Sequence, residues 1–187
     1  MLPDQELLVP DSKREELELI CDMERGGAPD FVIPYSIEKH HSEFAKPNVV
    51  YKSVWCDAQL IGFFILVLEQ DARNVEFRRI VVSKPGFGYG KRIVKMVDQI
   101  CRSEFGRLRV WLDVFETNLR AQHVYEQCGY QRFASPNTKE EDYSCMKRCS
   151  NKSLQATAAT QVSWIGVGNL IVTVAFRSQS SAAVAEF

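Results

Sequence analysis

Three glycines at alternate positions, Gly86, Gly88 and Gly90, separate a stretch of strand character from one of helix character, and this junction constrains the fold most. The segment before it, 75–82, is rich in β-branched residues and predicts a strand. The segment after it carries an apolar stripe at helical spacing and stops at Gly106. A strand joined to a helix in this way predicts an α/β unit, in which the helix crosses over to a parallel strand.

The remaining pattern supplies elements on both sides of the glycine loop. An apolar run over 60–68 is unbroken, which is typical of a strand buried on both faces. Capping-box spacing from Ser12 to Glu15 opens the first helix. The predicted elements are helices over 12–27 and 34–44, strands over 49–56, 60–68 and 75–82, a helix from the glycine loop to 105, a strand over 108–115, a helix over 118–128, and strands over 130–133 and 142–148. The order ααβββαβαββ predicts an antiparallel front half followed by a parallel step.

Charge is distributed unevenly along the chain. The last 38 residues contain only Lys152, Arg177 and Glu186 as charged side chains. This step predicts a folded unit over 1–149 and a low-charge C-terminal extension over 150–187. The extension holds a 15-residue apolar stretch, shorter than the roughly 20 residues of a membrane-spanning helix. An added edge strand, a partner-binding segment and an unordered remnant stay open as interpretations.

Composition excludes several classes of protein. A net charge of −1 argues against a broadly basic nucleic-acid-binding protein. The six cysteines form no Cys-x-x-Cys pair and no zinc pattern, so no metal is expected. The N-terminus lacks the basic and apolar regions of a secretory signal. We therefore expect reduced cysteines in a cytoplasmic protein, with no nucleic-acid or membrane partner, and a homodimer is compatible with the sequence.

The glycine loop has the chemistry of a phosphate site. The first turn of a helix presents unpaired N–H groups, and Lys84, Lys91 and Arg92 flank the loop. A simple connecting turn is the alternative. A Walker loop does not fit, because Gly86 to Gly90 encloses three residues rather than four and Arg92 stands in the Ser/Thr place. The Rossmann fingerprint fails at Lys91, where its third glycine belongs.

Two segments resemble the core motifs of the GNAT N-acetyltransferase superfamily. They are 76–90 and 118–130, the second with the pattern Asn-x-x-Ala-x-x-x-Tyr-x-x-x-Gly-aromatic. The resemblance covers residues 49–133 and implies a GNAT-like acyltransferase fold, with a mostly antiparallel central sheet, a parallel splayed strand pair and flanking helices. It also implies transfer of an acetyl group from acetyl-CoA to a primary amine by direct attack, the acceptor being a small molecule or a protein amino group.

The resemblance assigns the coenzyme to the glycine loop and the strand before it. The pyrophosphate would lie on the loop amides, and the pantetheine arm would pair with the strand that ends at Val82. The implied coenzyme-binding residues are Ile80, Val81, Val82, Lys84, Gly86, Phe87, Gly88, Tyr89, Gly90, Lys91, Asn118, Ala121 and Tyr125. The loop departs from the family at Pro85, where Gln or Arg is usual; proline donates no N–H, so Lys84 or Lys91 is left to supply the missing charge.

Two residues carry the implied chemistry. Tyr125 matches the family's general acid, which protonates the departing thiolate; its alternative role is a core aromatic. Glu76 is the candidate base, because it is predicted to share a strand face with Ile80 and Val82 and lies on the substrate side in the family's layout. A water chain could replace it, and Glu76 could instead be a surface residue paired with an arginine.

Asn118 and the function itself keep alternatives. Asn118 is a favoured helix N-cap as well as an implied coenzyme contact. A non-catalytic sensor of acyl-CoA or nucleotide would use the same loop. A protein-interaction module acting through the apolar extension is a further alternative.

Overall fold

The computed structural model describes residues 5–27, 31–133 and 143–149. Its elements are β1 (Leu7–Leu8), a 3-10 helix (Arg14–Glu16), α1 (Leu17–Gly27), α2 (Ile37–Phe44), β2 (Val49–Cys56), β3 (Gln59–Leu68), β4 (Asn74–Val82), α3 (Tyr89–Ser103), β5 (Arg109–Phe115), α4 (Leu119–Gln127), β6 (Gln131–Arg132) and β7 (Tyr143–Cys149). The predicted order is confirmed, with β1 added. The chain divides after Asn151, and the second part, like the predicted extension, lies outside the described residues.

The strands form one seven-stranded sheet. Their order is β1-β2-β3-β4-β5-β7-β6. Only the pair β4–β5 is parallel, and every other neighbouring pair is antiparallel. The mixed, mostly antiparallel sheet with one parallel step confirms the predicted fold class. Strand β1 escaped prediction because two residues carry no readable periodicity.

Strand β3 lies at the centre of the sheet and is buried on both faces. Phe64 packs into an apolar cluster with residues of α3 and α4, while Phe63 packs into a second cluster with Leu17 and Ile20 of α1. Helix α2 adds Phe44 to the second cluster. The apolar run is unbroken for the reason that was predicted. The side chains of β3 point alternately to the two faces of the sheet, and helices cover both faces.

The N-cap of the first helix lies one residue after the predicted one. Ser12 does not cap it; the Ser12 and Ser53 hydroxyls are 2.8 Å apart instead. The backbone N–H of Lys13 donates to the Glu16 carboxylate at 3.1 Å, so the reciprocal cap is shifted by one residue. Predicted capping at Ser12 is thus wrong, because the hydroxyl finds a partner on β2 that lies 41 residues away.

Three further observations bear on chemical class. The structure shows no disulfide bond at Cys21, Cys56, Cys101, Cys128 or Cys149. In the described ranges, no helix is long and apolar enough to cross a membrane. The same ranges bring together no three His, Cys, Asp or Glu side chains that could hold a metal ion.

Candidate active site

Strands β4 and β5 diverge soon after they meet. Their pairing covers residues 74–76 of β4 and 109–111 of β5, while β5 pairs with β7 along its whole length. The rest of β4 is paired with β3 on its other edge. The β4 edge beyond residue 76 thus offers backbone N–H and C=O groups that no described strand takes up, as an extended ligand requires. The predicted splayed pair is confirmed.

A β-bulge interrupts β4 next to this divergence. Ile65 of β3 lies opposite Arg79, but Leu66 lies opposite Phe77, so Arg78 is an extra residue without a counterpart. An extra residue reverses the alternation of side chains beyond it. On a given face of the sheet, the side chains of β4 are therefore even-numbered on one side of the bulge and odd-numbered on the other.

The bulge corrects the predicted setting of Glu76. Glu76 lies opposite Val67, which belongs to the cluster on the α1–α2 face. Ile80 lies opposite Phe64, which belongs to the cluster on the α3–α4 face, and Val82 also packs there. The prediction that Glu76 shares a face with Ile80 and Val82 is wrong, because strict alternation does not continue through the bulge.

The glycine loop leads directly into α3. Gly88 is the N-cap residue with φ of +77°, and Gly86 has φ of +93°, conformations that an L side chain rarely adopts. The ring of Phe87 is exposed and stacks on that of Tyr89, which is buried. The loop therefore leads into the first turn of α3, where backbone N–H groups have no partner within the helix. Its glycines leave the loop backbone uncovered by side chains.

The three cationic side chains around the loop donate hydrogen bonds to neutral acceptors. Lys84 and Lys91 donate to the neutral side-chain amides of Gln59 and Gln127, each at 2.7 Å. Arg92 donates to a backbone carbonyl. The first turn of α3 contains no acidic residue. The positive helix terminus and these three side chains suit an anionic ligand.

Tyr125 of α4 reaches the point of strand divergence. Its ring packs edge-on against Phe77, the first β4 residue beyond the β5 pairing, at a centroid distance of 6.4 Å. Tyr130 lies against its other side at 5.7 Å. Tyr125 is 8% exposed, and burial raises the pKa of its phenol far above the usual range. A phenol kept protonated in this way can act as a proton donor.

The ring of Tyr125 is held on two sides, by Phe77 and Tyr130. Asn118 begins the same helix as its N-cap, its side-chain oxygen accepting from the N–H of Ala121 at 3.1 Å. Ala121 packs against the cluster that contains Tyr125. The capping role of Asn118 is thereby established, and it orients the helix that carries Tyr125.

Glu76 is the last β4 residue paired with β5, and Arg78 holds its carboxylate. The Arg78 guanidinium donates to both oxygens, at 2.9 and 2.7 Å. Phe77 lies between Glu76 and the bulge, so Glu76 and Tyr125 approach the divergence from opposite faces of β4. The pairing with Arg78 matches the alternative that the sequence left open.

The sequence reasoning missed a charged network on the α1–α2 face. Arg78 also donates to Glu43 of α2 at 3.2 Å, and Arg79 donates to Glu24 of α1 at 2.8 Å. His40 of α2 lies fully buried, 3.5 Å from Glu24. The sequence did contain a signal for this network, namely two adjacent arginines inside an apolar strand. Strict alternation would bury one of them, and a buried arginine needs an acidic partner.

The family comparison defines the class of protein. The model of the acetyltransferase (GNAT) family matches residues 17–130, which is more than half of the chain. The chain therefore belongs to the acetyltransferase (GNAT) family. It is an acyltransferase, an N-acetyltransferase that moves an acetyl group from acetyl-CoA to an amine.

Solved structures share its fold at low sequence identity. Spermidine N-acetyltransferase from Vibrio cholerae in complex with CoA and spermine is 19% identical, with a TM-score of 0.66 over 77% of this chain and 95% of that one. A dodecameric structure of spermidine N-acetyltransferase from Vibrio cholerae, in an intermediate state, is 19% identical, with a TM-score of 0.65 over 81% and 98%. No curated protein matches the sequence.

Proposed function

We propose that acetyl transfer takes place where β4 and β5 diverge, by direct attack of the amine on the thioester, with Tyr125 as the general acid. The observation that carries this proposal is the position of Tyr125, whose buried phenol lies against Phe77 at the divergence. A departing thiolate needs a proton, and the phenol of Tyr125, which is protonated at neutral pH, is the proposed donor.

The donor is proposed to occupy the glycine loop and the free edge of β4. Residues 86–91 would hold the pyrophosphate through loop and helix N–H groups, with Lys84 and Lys91 adding charge. The pantetheine arm would pair with the backbone of 80–82. Pro85 contributes no N–H, so the anchoring rests on the residues that follow it.

The acceptor amine must lose a proton before it attacks. An alkyl amine with a pKa of about 10.4 costs roughly 4.6 kcal/mol to deprotonate at pH 7. Glu76 is proposed to take this proton on the α1–α2 face, opposite the coenzyme. Since both of its oxygens accept from Arg78, either one of those bonds is released or a water relays the proton.

The acceptor is proposed to be a small-molecule amine or a protein amino group. The neighbour solved with CoA and spermine supports an amine acceptor in general terms. A dodecameric neighbour supports self-association, of which a homodimer is the simplest form. The free cysteines support a cytoplasmic location.

The test is substitution of Tyr125 by Phe, which removes the hydroxyl and keeps the ring that packs against Phe77. We expect the turnover to fall by about 10²–10⁴-fold in a thiol-release assay over a panel of amines. Binding of acetyl-CoA, measured by calorimetry, is expected to be preserved.

Tyr130→Phe is the matched control, because that hydroxyl is buried and makes no hydrogen bond in the described part of the chain. Its turnover should equal that of the wild type. Unchanged turnover in Tyr125→Phe would remove Tyr125 from the mechanism. Binding of acetyl-CoA without transfer to any amine would favour a sensor.

A further inference from the structure

Arg78 forms ion pairs with two carboxylates, the partly exposed Glu76 and the buried Glu43. It is the extra residue of the β4 bulge, and its side chain is 27% exposed. One side of the guanidinium forks onto Glu76, and the remaining nitrogen reaches Glu43, whose side chain is 3% exposed. The bulge therefore places a fixed cation two residues beyond the end of the β4–β5 pairing.

The carboxylates of this network are already occupied. Glu76 accepts from Arg78 through both oxygens. Glu43 accepts from Arg78 through one oxygen, and its other oxygen lies 2.7 Å from the ammonium groups of both Lys39 and Lys46. An ammonium group of a ligand that approached either carboxylate would therefore have to share it with the cations already bound there.

Both oxygens of the Glu24 carboxylate also accept hydrogen bonds, one of them from Arg79. Glu24 is fully buried, with one oxygen on Arg79 at 2.8 Å and the other on the backbone N–H of Tyr35 at 2.7 Å. The network thus sets the three carboxylates of Glu24, Glu43 and Glu76 against the four cations of Arg78, Arg79, Lys39 and Lys46. These seven side chains carry a net charge of +1.

We propose that Arg78 is a specificity-determining residue, which selects acceptors with one amine on an uncharged or anionic body against diamines and polyamines. The inference rests on the proposed function, since it concerns the face from which the amine enters. With the attacking amine at Glu76, a second ammonium group on the same short acceptor would be close to the Arg78 guanidinium, and like charges placed together are costly. The two spermidine N-acetyltransferase structures named above share the fold at 19% identity and do not determine this choice.

The experiment compares two acceptors of equal length, n-pentylamine and 1,4-diaminobutane, which differ by a methyl group in place of an ammonium group. The kcat/KM for each is measured by thiol release with acetyl-CoA. We expect the wild type to prefer pentylamine by about tenfold or more. Arg78→Gln frees the Glu76 carboxylate, and it should shift this ratio about tenfold towards the diamine.

Two controls separate this role from a structural one. Arg78→Lys keeps the charge and should keep the wild-type ratio. Arg25→Gln removes the same charge from the exposed surface of α1 and should also leave the ratio unchanged. A drop in kcat for both amines with an unaltered ratio in Arg78→Gln would show a structural role and overturn the inference.

The remaining outcomes are distinguishable. A wild type that prefers 1,4-diaminobutane, while acetylating both amines, overturns the inference and leaves the proposed function intact. Failure to bind acetyl-CoA, or transfer to no amine of a wider panel and to no protein amino group, contradicts the proposed function, and the inference falls with it. Transfer to other acceptors but to neither of these two amines overturns the inference alone.

Discussion

At the scale of single residues, the close approach of β3 and β4 depends on Gly62. Gly62 lies opposite Val82, and a Cβ built on it would stand 2.6 Å from the carbonyl oxygen of Val81. Real Cβ atoms do not come so close to backbone oxygen, so a larger residue would push the two strands apart. The strand that is pushed is the one whose free edge is proposed to meet the coenzyme.

We predict that Gly62→Ala lowers the free energy of unfolding by about 2 kcal/mol, as overpacking commonly does. Urea denaturation followed by fluorescence measures the change. Gly26→Ala is the control, because its Cβ would meet nothing within 4 Å on helix α1. That variant should be stabilised by about 0.5–1 kcal/mol. Equal effects in both variants would contradict the role of the close approach.

At the scale of elements, helix α2 is attached to β4 by ionic contacts as well as by apolar packing. Glu43 of α2 meets Arg78 of the β4 bulge, and its side chain is almost fully buried. Burial alone raises the pKa of the Glu43 carboxyl, but the hydrogen bonds from Lys39 and Lys46 outweigh it and lower that pKa to about 2. The folded state therefore holds this carboxylate ionised more strongly than the unfolded chain does.

A lowered carboxyl pKa makes stability sensitive to acid. The contribution of Glu43 is fully present above its unfolded pKa near 4.5 and is lost as the pH falls towards 2. We predict that the free energy of unfolding drops across this window, about 2–3 kcal/mol of it through Glu43.

Glu43→Gln should flatten that part of the profile, measured by urea unfolding at several pH values between 2 and 7. The exposed Glu18 of α1 offers a matched control, and Glu18→Gln should keep the wild-type slope. A Glu43→Gln profile parallel to that of the wild type would show that the contact contributes little to stability.

At the scale of the whole molecule, the described helices and strands all lie within the first 149 residues. The two apolar clusters draw on residues 7–146 and cover both faces of the sheet. The neighbouring structures are covered to 93–98% of their length by only 76–81% of this chain.

We predict that a chain ending at Cys149 keeps its unfolding midpoint, its binding of acetyl-CoA and its turnover. Thermal unfolding, calorimetry and the thiol-release assay measure these three quantities against the full chain. Size-exclusion chromatography of both forms tests whether the extension drives association. Loss of the midpoint on truncation would show that the extension belongs to the folded unit.

The elements and their order followed from the sequence because their signals are local. Periodicity within single segments defined β3 and α3, and the spacing of Asn118 and Tyr125 placed two candidate site residues at one helix. The pairing partner of Ser12 could not be inferred, because it lies on another strand. For the same reason β1 could not be predicted, because what defines it as a strand is its pairing with β2.

The sequence by itself determined the α/β class, the glycine loop at the start of α3, and the family motif that carries Tyr125, since each depends on residues close together in the chain. Tertiary structure decided which face Glu76 occupies, because one extra residue at Arg78 reverses the alternation of β4. It also decided that Arg78 bridges Glu76 and Glu43, the second of which lies 35 residues away. Contacts of this kind depend on strand register and helix docking, which no local pattern encodes.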